Sequence, residues 1–172
     1  VKNMSQNKMN NWFRKLQLVS AASYSLGHGT NDAQKTMGII AVLLFSAGYL
    51  GEEFYIPVWV ILAAHTAIAL GTLAGGWKVI NTMGMKITKL HPIHGFSAES
   101  SAALTLLGTA TFGIPVSTTH VIAGSIMGVG TTNRLSAVRW GLVRKIILTW
   151  MVTIPLSSVV AYLSYKFLMM IV

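Results

Sequence analysis

Residues 57–77 read PVWVILAAHTAIALGTLAGGW, a run without a single Asp, Glu, Lys or Arg. About 20 such residues, wound as a helix, reach across the hydrocarbon core of a bilayer. Residues 146–165 (IILTWMVTIPLSSVVAYLSY) are equally free of these four residues, and between Leu16 and Gly51 only Asp32 and Lys35 are charged. Over the 172 residues, 53% are hydrophobic and 10% charged; an ordinary soluble domain carries about 25% charged residues. The pattern predicts an all-α, polytopic membrane protein rather than a water-soluble domain.

The net charge of +9 is placed as a membrane protein places it. Bases gather beside the apolar blocks: Lys2, Lys8, Arg14 and Lys15, then Lys78, Lys86 and Lys89, then Arg134, Arg139, Arg144 and Lys145. Glu52 and Glu53 form an acidic loop between the first two groups. Cytoplasmic loops carry such an excess of Lys and Arg, whereas a nucleic-acid reader needs a wetted basic face; nucleic acid is therefore not expected as a partner. With no cysteine, disulfides and thiolate metal sites are excluded. The first fifteen residues show no apolar segment of the kind a cleaved signal peptide needs.

The segments follow from these blocks. Residues 1–15 are expected to be a basic cytoplasmic lead-in and residues 16–172 a transmembrane domain. Residues 16–50 are too long for one span and contain Gly27-His28-Gly29-Thr30-Asn31-Asp32, so a discontinuous helix with a break there is expected. Residues 57–77 form the next span, with Gly71 and Gly75 spaced for close helix contact. Residues 95–130 hold two apolar pieces separated at Gly113-Ile114-Pro115, between basic flanks. Entry and exit on one side fit either two short spans or a re-entrant helical hairpin. The polar content, Ser117 to His120 with Glu99 upstream, favours the hairpin, shielded by protein because irregular backbone is not tolerated against lipid. The last span covers about 146–168, with Pro155 expected to kink it and the C-terminus outside.

Two of the four acids, Asp32 and Glu99, lie in apolar surroundings. A carboxylate at membrane depth is costly, which marks it as a functional candidate. Asp32 has a structural partner available in Lys35, one turn on; Glu99 has no basic partner in its segment, and its alternative is solvation near the interface. A break before Asn31-Asp32 would free carbonyls for a cation and amides for an anion. Pro115-Val116-Ser117-Thr118-Thr119-His120 reads as a helix start, with Pro in the first turn and three hydroxyls at the positive end of the dipole, suited to a tetrahedral oxyanion. An N-cap alone also accounts for those hydroxyls. His65 reads as an interhelical hydrogen-bonding residue, and the proline inside His91-Pro92-Ile93-His94 spoils helical metal-ligand spacing. His28 and His120 lie within the two polar segments.

Gly29-Thr30-Asn31-Asp32, Glu99-Ser100-Ser101-Ala102-Ala103 and Gly113 through His120 together resemble the inorganic phosphate transporter (PiT) family, from about residue 17 to 165. The resemblance implies phosphate transport by symport with Na⁺ or H⁺ and no enzymatic activity or cofactor. It implies two homologous halves in inverted orientation, of which this chain resembles the C-terminal one. Carried over by motif, Asn31, Asp32, Ser117, Thr118 and Thr119 would bind phosphate. Asp32 and Glu99 would serve the coupling cation or proton, with Na⁺ possible at Asn31, Asp32 and Glu99. One copy of each motif implies a partner, either a homologous N-terminal half or an oligomer, in a multi-pass protein of the cell membrane. The alternative is a membrane subunit with an assembly role, or a remnant, without transport of its own.

Overall fold

Gln6–Ser46 forms one unbroken helix, α1, in the computed structural model, which describes residues 5–171 apart from the Lys78 side chain. The expected discontinuity at Gly27–Asp32 is absent. A glycine inside a helix costs about 1 kcal/mol against alanine, which the flanking turns outweigh when tertiary contacts reward continuity. Gly27 supplies such a contact: it is buried against α3, where a Cβ would come within 3.2 Å of Leu106 Cβ. The glycine thus serves close packing, not a break. Nor is there a boundary at Leu16, since residues 6–16 contain no glycine or proline to stop the helix. Residues 1–4 of the expected lead-in, with Lys2, lie outside the described residues.

Four further helices follow: α2 (Val58–Asn81), α3 (Pro92–Thr111), α4 (Thr118–Asn133) and α5 (Trp140–Ile171). No β-strand occurs among the described residues. Residues Val1–Val138 make one compact unit and Arg139–Val172 a second, which is α5 by itself. Val58–Trp77 of α2 and all of α5 are long and apolar enough to cross a membrane. Pro155 lies inside α5, where it has no N–H for the carbonyl four residues earlier.

Within the first unit, α1 uses two faces. Ala33 and Met37 pack with Val60 and Ala64 of α2, while Ser20, Gly27 and Asn31, spaced by roughly whole turns, are buried and the first two of these face α3. On α3 the buried positions are mostly small (Gly95, Ala98, Ala102, Ala103), which lets α1 and α3 approach closely. Phe13 and Phe96 meet with ring centroids 5.7 Å apart at the basic end of that pair. Outward, Leu62, Leu70 and Leu73 of α2 remain 61–82% exposed, an apolar surface that water does not favour.

α3 and α4 pack against each other as a helix pair joined by a short turn. Its turn is built by Gly113, with φ of +66°: the Gly113 amide donates to Ala110 O at 3.2 Å and the Ile114 amide to Thr109 O at 2.9 Å. This pair of bonds closes a helix end with a left-handed residue, where glycine carries no Cβ penalty. At 1.5 Å per residue, α4 is only about 24 Å long, short of a bilayer core of about 30 Å. Within this chain, Gly71 and Gly75 meet no other helix. A Cβ at Gly71 or Gly75 would meet nothing within 4 Å, so these glycines open a cavity rather than bring helices together.

Candidate functional site

The hairpin turn hands the chain to α4 through Pro115, Val116 and Ser117. Helix α4 begins at Thr118 with Ser117 as its N-cap, so Pro115 precedes the helix and is not in its first turn. The Ser117 hydroxyl accepts from the His120 amide at 3.4 Å. The helix geometry leaves the next amides without intrahelical acceptors. Thr118 and Thr119 are the first two helical residues, at the positive end of the α4 dipole.

Asp32 of α1 reaches this helix start. Thr118 is buried, and its hydroxyl donates to Asp32 Oδ2 at 3.0 Å, joining positions 86 residues apart. The opposite carboxylate oxygen, Oδ1, takes a hydrogen bond from Lys35 Nζ at 3.3 Å. The same ammonium donates to the Val116 carbonyl at 2.8 Å, so Lys35 ties α1 to the hairpin tip. His28 Nδ1 lies 3.2 Å from Asp32 Oδ2 but off the line a hydrogen bond requires, and that buried nitrogen has no hydrogen-bond partner. Tyr24 stacks on His28 with ring centroids 6.0 Å apart. Asn31 is buried and, with Gln34 and Lys35, lines a cavity of about 210 Å³ against Gly113, Ile114 and Pro115. Thr119 opens with Thr118 and His28 onto a larger cavity of about 620 Å³, floored by Gly71 and Gly75.

Glu99 stands elsewhere. Its Oε2 accepts from Ser20 Oγ at 2.6 Å and its Oε1 from Gln17 Nε2 at 3.3 Å. Ser20 precedes Asp32 by twelve residues of α1, about 18 Å of helix rise. With Arg14 and His91, Glu99 lines a third cavity, of about 590 Å³. That cavity shares Tyr24, Ile80, Met83 and Ile122 with the one beside Thr118 and Thr119. Of the six residues singled out from sequence, the structure therefore gathers Asn31, Asp32, Ser117, Thr118 and Thr119 around one level of α1 and leaves Glu99 beside Ser20, about three turns away.

Several partners were not singled out in advance. The i, i+4 spacing of His28 and Asp32 carries a signal for their proximity. Nothing in the sequence pairs Glu99 with Gln17 and Ser20, or Lys35 with Val116. His65 Nδ1 lies 2.9 Å from Ile61 O of its own helix, an intrahelical contact in place of the expected interhelical one. The His91 amide donates to His94 Nδ1 at 3.4 Å, so this pair caps the start of α3. Burial and the neighbouring His91 lower the His94 pKa below its ordinary 6.5. Among the described residues no group of three or more acids and histidines is placed to hold a metal ion.

The phosphate transporter family model matches residues 1–161. The chain is 61% identical over 153 residues to a probable low-affinity inorganic phosphate transporter of Rhizobium meliloti, covering 89% of the chain and 46% of that protein. It is 46% identical over 164 residues to a protein of the same description from Bacillus subtilis, covering 95% and 49%. Among solved structures, the sodium-dependent phosphate transporter superposes with a TM-score of 0.76 at 32% identity, over 89% of this chain and 40% of that one. The chain spans about half the length, or less, of these relatives. The motifs at Asn31-Asp32 and Pro115–His120, the fold that joins them and the match over residues 1–161 lead to one assignment: the chain belongs to the phosphate transporter family, whose members are membrane transporters and not enzymes.

Proposed function

We propose that this chain forms one half of a symporter for inorganic phosphate in the cell membrane, completed by a second, homologous half in inverted orientation. The observation that carries the reading is the Thr118–Asp32 bond, which joins the Asn-Asp pair to the start of α4. Phosphate is a tetrahedral oxyanion, and a helix start offers it amides, hydroxyls and a positive dipole without a fixed charge. Thr118, Thr119 and Ser117 supply the hydroxyls and Asn31 an amide. Asp32 repels phosphate unless a positive charge lies between them, and that requirement is the physical basis of cation coupling. Asp32 and Glu99 are the two carboxylates available for it, to Na⁺ or H⁺.

The hairpin tip supports a second half. Phe112 is 80% exposed and Ile114 52% exposed, beside a polar site that lipid cannot solvate. A re-entrant α3–α4 hairpin, with its short second helix, fits a tip that meets its counterpart within the membrane. The family name of the relatives, inorganic phosphate transporter, agrees with the substrate. The test is uptake of ³²P-phosphate into proteoliposomes holding this chain with and without a homologous N-terminal half. Uptake that needs both halves and is lost with Thr118→Ala at equal protein level is expected. No uptake from a folded, inserted pair would leave an assembly role as the better account.

A further inference from the structure

Both oxygens of the Asp32 carboxylate are taken: Oδ1 by the Lys35 ammonium, Oδ2 by the Thr118 hydroxyl. The second acceptor of that ammonium is the main-chain carbonyl of Val116, at 2.8 Å. A carboxylate oxygen and a backbone carbonyl at a hairpin tip are the ligands a hard cation such as Na⁺ would take in a transporter core. Here they hold a compact, tethered positive charge with three donors and no acceptor. We infer that the Lys35 ammonium occupies the cation position at Asp32, so that this half binds no sodium ion there.

The physical reason is competition for one place. A sodium ion beside Asp32 would lie at contact distance from the ammonium, and like charges that close repel. Lys35 is part exposed, so screening reduces the effect; a weakening of sodium affinity by about tenfold or more remains. The tethered cation also arrives without binding from solution, so the positive charge that phosphate needs beside Asp32 is present from the start. Glu99 is placed differently: both its hydrogen-bond partners, Ser20 and Gln17, are neutral, and no base makes an ion pair with it among the described residues. In its consequence for coupling this inference rests on the transport reading above: the travelling cation or proton is then drawn to Glu99 rather than Asp32. Its claim about sodium at Asp32 does not depend on transport.

Equilibrium binding of ²²Na⁺ to the purified chain, with choline holding ionic strength constant, tests it. Wild type and Asp32→Asn are expected to bind alike. Lys35→Met is expected to gain a saturable component that disappears in the Lys35→Met/Asp32→Asn double variant. Saturable wild-type binding that Asp32→Asn removes overturns the inference. So does a Lys35→Met protein with the wild-type melting temperature and no gain. Should Lys35→Met fail to fold, Lys35→Gln takes its place, and the wild-type against Asp32→Asn comparison decides independently. Phosphate uptake is measured on the same preparations. Its absence beside the expected sodium results would remove the transport reading while leaving the assignment of Lys35 intact.

Discussion

Two levels of α1, about three turns apart, treat a carboxylate in opposite ways. At the one level Asp32 is drawn into a cluster with a cation, Lys35, and held to the hairpin tip by Thr118. At the other, Glu99 comes from α3 to meet α1, and its partners are a hydroxyl and an amide. The first carboxylate is paired with a cation of its own helix, one turn away; the second is hydrogen-bonded to two neutral groups. A carboxylate already paired is suited to shape a site, and one that lacks a counter-charge is suited to receive a moving one. Under the transport reading proposed above, the contrast gives Asp32 to substrate geometry and Glu99 to coupling.

Four measurements sharpen or break this contrast. The largest effect is expected for Asp32→Asn in the complete transporter, which should lower ³²P-phosphate uptake by about tenfold or more, since the charge that orders Lys35 and Thr118 is lost. Retention of most of the uptake would break the assignment of Asp32. Next, Ser20→Ala removes a short bond to a charged acceptor, worth about 1.5 kcal/mol. The apparent melting temperature should fall by about 3 to 6 °C, whereas Ser23→Ala, whose hydroxyl bonds only Val19 O of its own helix, should leave it unchanged.

Third, Lys35→Met frees the Val116 carbonyl. Loss of about 1 kcal/mol of local bonding predicts about fivefold faster hydrogen exchange of the amides of residues 112–114, 116 and 117, with α2 unaffected. The smallest effect belongs to His94, at the Glu99 end of the same hairpin. Its folded pKa lies below its ordinary value because burial and His91 disfavour the charged ring. The unfolded chain therefore binds the proton more readily, and stability falls as pH drops below about 6.5. His94→Gln should flatten that slope in a thermal-shift series between pH 7.5 and 5.5. An unchanged slope would remove His94 from the account.

Much of the architecture was legible because membrane spans are written in composition. The absence of charge from 57–77 and 146–165 marks α2 and α5, and Gly113 and Pro115 mark the hairpin turn, since a left-handed glycine and a missing N–H each end a helix locally. The reading of Gly27–Asp32 as a break went wrong for a physical reason. A glycine permits both a bend and a close approach, and which one occurs depends on whether a neighbour is there to fill the space; Leu106 is. Gly71 and Gly75 show the converse: within this chain no neighbour fills the space beside them, and they line a cavity.

By itself, the sequence determined that the chain is a helical membrane protein and where its polar segments interrupt the apolar ones. Those properties are sums over neighbouring residues, such as hydropathy, turn preference and N-cap chemistry. Only the tertiary structure decided that Thr118 meets Asp32, that Lys35 reaches Val116 across 81 residues, and that Glu99 finds Ser20 and Gln17 instead of a base. These pairings follow from how closely α1 and α3 pack and how the hairpin tip returns to α1. Packing of that kind is set by shape complementarity between distant segments, which no local window of sequence contains.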